Sequence, residues 1–425
     1  MTYLLPNPKR ESKDPYGRNL WYPYYAGFSP RFAMSVFERE GVGSESLVCD
    51  PWNGAGTTTW AAQSRGIPYL GVDLNPVMAI VAKAKLVQSR DLLEADELLE
   101  SILARPKSEH ATPSGSVLGR WLSPHTVADL LEIAEVLLKA KSYQSLTGAE
   151  ATEQIESLSP ARSFLLLALF RACRKMVDTH KTSNPTWRRM LVEVDPSVVH
   201  DVRLALLSEV DYLRAQLISE GDRPESKVEG QIITSSSTSL RASSGSVDLI
   251  VSSPPYCTRI DYAVATMIEL GLLGFDHSEV DDLRRTLMGT TTVPTSSGEP
   301  EKAWGSECGE FLERVRSHPS RASAGYYFKS HMQYFSDLYK SLGEIGRVLK
   351  PRGKAYLVVQ DSQYKDVHND LASIVAEMSC SHGLQLVGRE DFRKLTSLRT
   401  VNAGSRKYSQ GRAPVESVLI IQRLR

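Results

Sequence analysis

A short apolar run, Ser46-Leu47-Val48-Cys49-Asp50, ends in a carboxylate and passes at once into Pro51-Trp52-Asn53-Gly54-Ala55-Gly56-Thr57-Thr58. A strand with no polar face belongs inside a parallel sheet. The glycine-rich turn then feeds a helical stretch that runs to about Arg65. Tyr69-Leu70-Gly71-Val72-Asp73 is a second strand of the same kind, and Pro76 opens another helix that runs to about Val87. Two strand–helix units in succession predict a parallel sheet with helices on its faces. Ligands of such sheets bind beyond the carboxyl ends of the strands.

The rest of the 425-residue chain divides by pattern. Residues 1–90 hold the opening unit, with a helix start at Ser29 and Pro30. Residues 91–227 carry almost no strand signal and read as a helical insertion, with helices expected over 92–103, 126–141, 161–177 and 197–217. Residues 228–425 return to strands, at 228–234, 247–252 and 354–360, with late strands at 385–388 and 417–422 paired antiparallel. The spacing of Phe328, Met332, Phe335, Leu338, Leu342 and Ile345 predicts an amphipathic helix, and a further helix is expected over 370–381. Residues from about 282 to 325 are rich in Thr, Ser, Gly, Pro and Glu, and read as a loop insertion.

Lys plus Arg equals Asp plus Glu, 50 against 50, so any nucleic-acid contact must come from local basic patches. Five cysteines without a C-x-x-C pair argue against a disulfide framework or a zinc site. The first residues show no charged leader before an apolar run, and no stretch has the length of a membrane span. These features predict a cytoplasmic protein without a membrane partner. His125, His180 and His331 stand alone, so neither histidine catalysis nor a metal is expected.

The first turn reads as a nucleoside site. Glycines at 54 and 56 allow close backbone approach. Asp73 ends the next strand 19 residues after Gly54, where a carboxylate accepts hydrogen bonds from ribose hydroxyls. No Lys-Ser/Thr pair follows the glycines and Thr59 replaces a third glycine, so this is neither a phosphate loop nor G-x-G-x-x-G. A bare strand-to-helix turn is the competing explanation. Asp50 suits an ammonium contact or a cap on the turn.

The strand Val247–Ser252 runs straight into Ser253-Pro254-Pro255-Tyr256, on the same rim. Prolines fix the backbone and leave carbonyls free to accept. The lone pair of an exocyclic base amine is delocalised, so the amine is a poor nucleophile. Acceptors around its N–H bonds draw the nitrogen toward tetrahedral geometry. The Ser253 hydroxyl and the Pro254 carbonyl are assigned that task, with Tyr256 stacking on the base. A base in a duplex must be flipped out to reach them.

Asp-Pro-x-x-Gly-x-Gly-Thr-Thr together with Ser-Pro-Pro-Tyr resembles the DNA amino-methyltransferases. Ser-Pro-Pro-Tyr is most typical of their cytosine-N4 enzymes. The resemblance implies a Rossmann-like class I methyltransferase fold, an α/β sheet of seven strands with a reversed last hairpin. It implies S-adenosyl-L-methionine as cofactor, held by Phe28, Ser29, Asp50, Pro51, Asn53, Gly54, Gly56, Thr57 and Asp73. Tyr22-Pro23-Tyr24-Tyr25-Ala26-Gly27-Phe28-Ser29 resembles the family's N-terminal cofactor motif. An aromatic staple on the first helix is the other reading of that segment. Arg347–Gly353 resembles the family's helix-to-strand joint.

The chain also departs from the family. Its third strand ends in Thr234-Ser235-Ser236 where relatives often have an Asp facing the adenine.

The implied partners are double-stranded DNA and a cognate restriction or defence nuclease; the oligomeric state stays open. Candidate phosphate contacts are Arg171, Arg174, Lys175, Lys181, Arg188 and Arg189 in the insertion, and Arg399, Arg406 and Lys407 before the last strand. An ordinary solvated face is the alternative for the first group. An adenine-N6 DNA or RNA methyltransferase, a non-catalytic nucleic-acid-binding subunit and a small-molecule methyltransferase are the other readings.

Overall fold

The computed structural model describes residues 5–9, 17–23, 27–106, 116–140, 147–177, 194–220, 227–257, 260–296, 298–393 and 415–424. Its main sheet holds β1 (Val48–Asp50), β2 (Tyr69–Asp73), β3 (Gly230–Thr234), β4 (Val247–Ser252), β5 (Leu349–Gln360), β8 (Leu384–Arg393) and β9 (Val415–Arg423). The order is β3-β2-β1-β4-β5-β9-β8. The first five strands are parallel, and β9 runs antiparallel between β5 and β8. This is the expected sheet of seven strands with a reversed last hairpin. A small hairpin of β6 (Ser362–Tyr364) and β7 (Val367–Asn369) stands apart from it.

Successive strand residues point to opposite faces, and both faces are covered. Val48, Leu249, Val251, Tyr356, Val358, Val418 and Ile420 pack into one apolar layer. Cys49, Ile250, Ala355, Leu357, Leu419 and Ile421 pack into the other. Helices Pro30–Glu40, Thr57–Ser64 and Pro76–Lys85 lie on the first face, and Ser306–Ser317, Phe328–Val348 and Leu371–Cys380 on the second. Local chemistry starts the first-face helices. Ser29 accepts the Phe32 N–H at 3.2 Å and Asn75 accepts the Val77 N–H at 3.1 Å, each followed by a proline that has no N–H to leave unpaired.

Between β2 and β3 the described residues are helical, with helices Leu92–Ala104, Pro124–Leu138, Gly148–Ser157, Pro160–Val177 and Val202–Ser219. Helix Pro160–Val177 packs against Pro76–Lys85 and is buried over most of its length. Its Phe164, Leu167 and Phe170 belong to the same apolar cluster as Val48 and Ile80.

The expected loop at 282–325 needs correction. Helix His277–Thr286 runs into its start, and Ser306–Ser317 is a helix that buries Cys308, Phe311, Leu312 and Val315. Those four positions have helical spacing, which the surrounding Ser, Gly and Glu residues obscured.

Candidate functional site

The glycine turn is held from below. Asn53 N–H donates to Val72 O at 2.9 Å, and Gly56 N–H to Asn53 O at 2.8 Å. Gly56 has φ +74°, and a Cβ there would stand 2.7 Å from Ala82 Cβ. A side chain is therefore excluded by the neighbouring helix as well as by the dihedral. Thr57 opens the following helix and is buried, and Thr58 Oγ1 donates to Val251 O at 2.9 Å, tying the turn to β4.

The two strand-end carboxylates differ. Asp73 is half-buried and accepts N–H groups from Gly54 at 2.8 Å and Asn75 at 2.9 Å. Asp50 is 2% exposed. It accepts the Ser252 hydroxyl, and the Trp52 N–H at 3.2 Å. Burial raises both carboxyls to about 6.

A cleft of about 1190 Å3, its open mouth included, lies at the carboxyl ends of β1, β2, β3 and β4. Pro51 and Trp52 of the turn, Asp73 and Leu74 after β2, and Ser253, Pro254 and Pro255 after β4 all line it. The turn and the Ser-Pro-Pro segment thus share one cavity. Asp50, Asn53, Gly54, Gly56 and Thr57 shape the turn without lining the cleft.

Each carbonyl and hydroxyl of the Ser-Pro-Pro-Tyr loop has a distinct setting. Ser253 Oγ donates to Val358 O at 2.9 Å, which leaves its lone pairs to accept. Pro255 O accepts the Tyr334 hydroxyl at 2.8 Å. Pro254 O accepts no hydrogen bond among the described residues, and Pro254 lines the cleft. Tyr256 is half-buried and is not among the cleft-lining residues. Its hydroxyl donates to Glu416 of β9 at 3.0 Å, and burial, followed by that carboxylate, pushes the phenol well above its usual range.

From the N-terminal segment, Tyr22 and Pro23 line the cleft. Phe28 and Ser29 do not: Phe28 packs edge-on against Phe32, with centroids 5.4 Å apart, and Ser29 caps the helix.

The basic face expected from Arg171, Arg174 and Lys175 does not project as a free surface. Arg171 pairs with Glu209 at 2.6 Å, donates to Trp21 O at 2.6 Å and lies over the Tyr212 ring. Lys175 is exposed but also pairs with Glu209. Arg174 pairs with the fully buried Glu269, donates to the Tyr22 hydroxyl at 2.9 Å and to Ala265 O at 2.6 Å, and forms part of the cleft wall. Buried acids on neighbouring helices claimed these cations, a pairing that helical spacing alone does not reveal. Lys181, Arg188, Arg189, Arg399, Arg406 and Lys407 lie outside the described residues.

Cleft residues to which the sequence alone assigns no role include Trp52, Leu74, Ser236, Ser237, Thr238, Met288 and Asp337. The signal for Leu74 and Ser236–Thr238 was present, since Leu74 directly follows β2 and Ser236 comes two residues after the end of β3. Met288 and Asp337 come from segments distant in sequence and carried none.

No protein-family model matches the chain. Over 284 residues it is 24% identical to "Type II methyltransferase M.BsoBI" of Geobacillus stearothermophilus, covering 64% of this chain and 55% of that protein. Over 292 residues it is 24% identical to "Type II methyltransferase M.AvaI" of Nostoc sp. (strain PCC 7120 / SAG 25.82 / UTEX 2576), covering 64% and 57%. The chain resembles type II methyltransferases. It spans a little over half the length of these relatives. Among solved structures, a geranyl diphosphate methyltransferase in complex with GPP and sinefungin aligns over 92% of this chain and 77% of that one, at TM-score 0.32 and 9% identity. The rRNA methyltransferase aviRa from Streptomyces viridochromogenes aligns over 95% and 88%, at TM-score 0.30 and 10% identity. These scores are too low to add to the strand order itself. No helix among the described residues is long and apolar enough to cross a membrane.

Proposed function

We propose that the chain is a DNA methyltransferase that takes its methyl group from S-adenosyl-L-methionine and places it on the N4 amine of a flipped-out cytosine. One observation carries the reading: Asp73 and the Ser253–Pro255 segment line one cleft. The residues present fit the donor. Asp73 keeps lone pairs beyond its two backbone bonds for ribose hydroxyls, and Trp52, Leu74 and Met288 offer apolar surface to a flat ring. When bound, the donor supplies an electrophilic methyl on a sulfonium.

The chain's own task is to hold the base amine. Pro254 O and Ser253 Oγ accept its N–H bonds and direct the lone pair along the line of transfer. Tyr334 and Val358 fix those two groups through Pro255 O and the Ser253 hydroxyl. Tyr256, anchored on Glu416, stacks on the extruded base. Ser253 favours cytosine, because the resemblance ties Ser-Pro-Pro-Tyr to N4 enzymes. Double-stranded DNA is the proposed substrate, as the names of the relatives fit type II modification, and a cognate nuclease is the matching partner.

The test is to incubate DNA with the chain and the donor, digest it to nucleosides and weigh them. N4-methyl-2'-deoxycytidine is the expected product. N6-methyl-2'-deoxyadenosine would overturn the choice of base, and unmodified DNA would overturn the reading. In the same assay Tyr256→Ala should lower turnover about 10- to 100-fold, the worth of one stacking ring.

A further inference from the structure

β3 ends in hydroxyls and brings no carboxylate to the rim. Residues 235–246 then reach β4 without a helix, and helix Phe328–Val348 lies against them. Ser237 Oγ and Ser341 Oγ are 2.9 Å apart, and Glu344 accepts the Leu240 N–H at 2.7 Å. One turn before Ser341, the same helix brings Asp337 to the wall of the cleft. Asp337 is half-buried, and burial raises its carboxyl to about 6. Its backbone carbonyl accepts the Ser341 hydroxyl at 2.8 Å, but among the described residues no hydrogen-bond donor reaches its carboxylate. A partly desolvated acid without a donor, facing a cavity, is poised for a ligand donor. Nothing in the amine-holding scheme uses it.

We propose that Asp337 reads the adenine of the methyl donor, its carboxylate accepting the exocyclic N–H of the purine in place of an acid at the end of β3. This rests on the donor reading above. Asp73 and Asp337 line the same cleft as the apolar Trp52, Leu74 and Met288. With the ribose on Asp73, a flat purine among those side chains needs an acceptor at its amine. The nearby hydroxyls of Ser236, Ser237 and Thr238 both donate and accept, so they do not tell an amine from a carbonyl. An ionised carboxylate only accepts. It welcomes the adenine amine and opposes the lone pairs of a hypoxanthine carbonyl. Asp337 is thus a specificity residue and takes no part in the transfer.

The experiment is isothermal titration of the full chain at pH 8 with S-adenosylhomocysteine and S-inosylhomocysteine. The wild type should favour the adenosyl form at least about 10-fold, the scale of one hydrogen bond to a charged group. Asp337→Asn, whose amide both donates and accepts, should bring the two forms close to parity. Asp337→Ala should weaken the adenosyl form and leave the inosyl form little changed. Asp73→Ala should weaken both by a similar factor and keep their ratio. In the wild type the preference should shrink as pH falls through about 6, because a protonated Asp337 can donate to the carbonyl. A preference that survives in both Asp337 variants would overturn the assignment and leave the donor reading standing. A wild type that binds neither compound would overturn both.

Discussion

At the scale of single residues, two carboxylates that look alike in sequence part company. Asp50 and Asp73 each end an apolar strand, and burial raises both to about 6. Only Asp73 lines the cleft, while Asp50 is enclosed by Ser252 and the Trp52 N–H. An asparagine at 50 keeps an oxygen that accepts both of those donors. Asp50→Asn should therefore leave the affinity for S-adenosylhomocysteine within about 3-fold, whereas Asp73→Ala should lower it about 10- to 100-fold. Titration calorimetry checks the contrast, and equal losses in the two variants would contradict it. The sequence places Asp73 at the rim because strand polarity fixes which end faces ligands. It is silent on Asp337, which reaches the cleft only through the packing of a distant helix.

Among secondary-structure elements, the strands were the legible part. β2 and β4 have the expected bounds, because an unbroken apolar run closed by a turn admits few alternatives. Helix Ser306–Ser317 was missed because its apolar face is short and its outer face resembles a loop. Fixed distances between elements make two positions unforgiving. Gly56→Ala forces an alanine to φ +74° and drives its Cβ toward Ala82. The loss should be about 2–4 kcal/mol in urea unfolding. Arg174→Ala leaves the fully buried Glu269 without its cation. That change should cost about 3–5 kcal/mol, and the double replacement of Arg174 and Glu269 by methionine should restore much of it. Recovery in the double variant would mark the pair as part of the fold; no recovery would point to a further role at the cleft wall.

For the whole molecule, three carboxyls at or near the rim carry raised values. Asp50, Asp73 and Asp337 all hold their protons more tightly in the folded chain, with values raised to about 6. A raised acid contributes stability that is full below its unfolded value of about 4 and is lost as pH rises through about 6. These three groups should therefore lower the melting temperature as pH goes from 5 to 7. A triple Asp→Asn variant should show a flatter profile over that window when both are followed by circular dichroism. Parallel profiles would show that the three acids titrate normally.

The broad division into a sheet and a helical insertion was readable from hydrophobic period alone. The inward turn of Arg171 and Arg174 was not, because the acids that claim them sit 38 and 95 residues away along the chain.

The shared core has one more consequence. Helix Pro160–Val177 is walled in by the layer that supports β1 and the glycine turn, and its Arg174 reaches the cleft. Grafting this segment from a homologue would replace interior packing along with any surface that meets a substrate. Sequence change in this region is therefore constrained: it can proceed readily through outward positions and neighbouring loops, while wholesale exchange of the helix would demand compensating changes beneath the sheet.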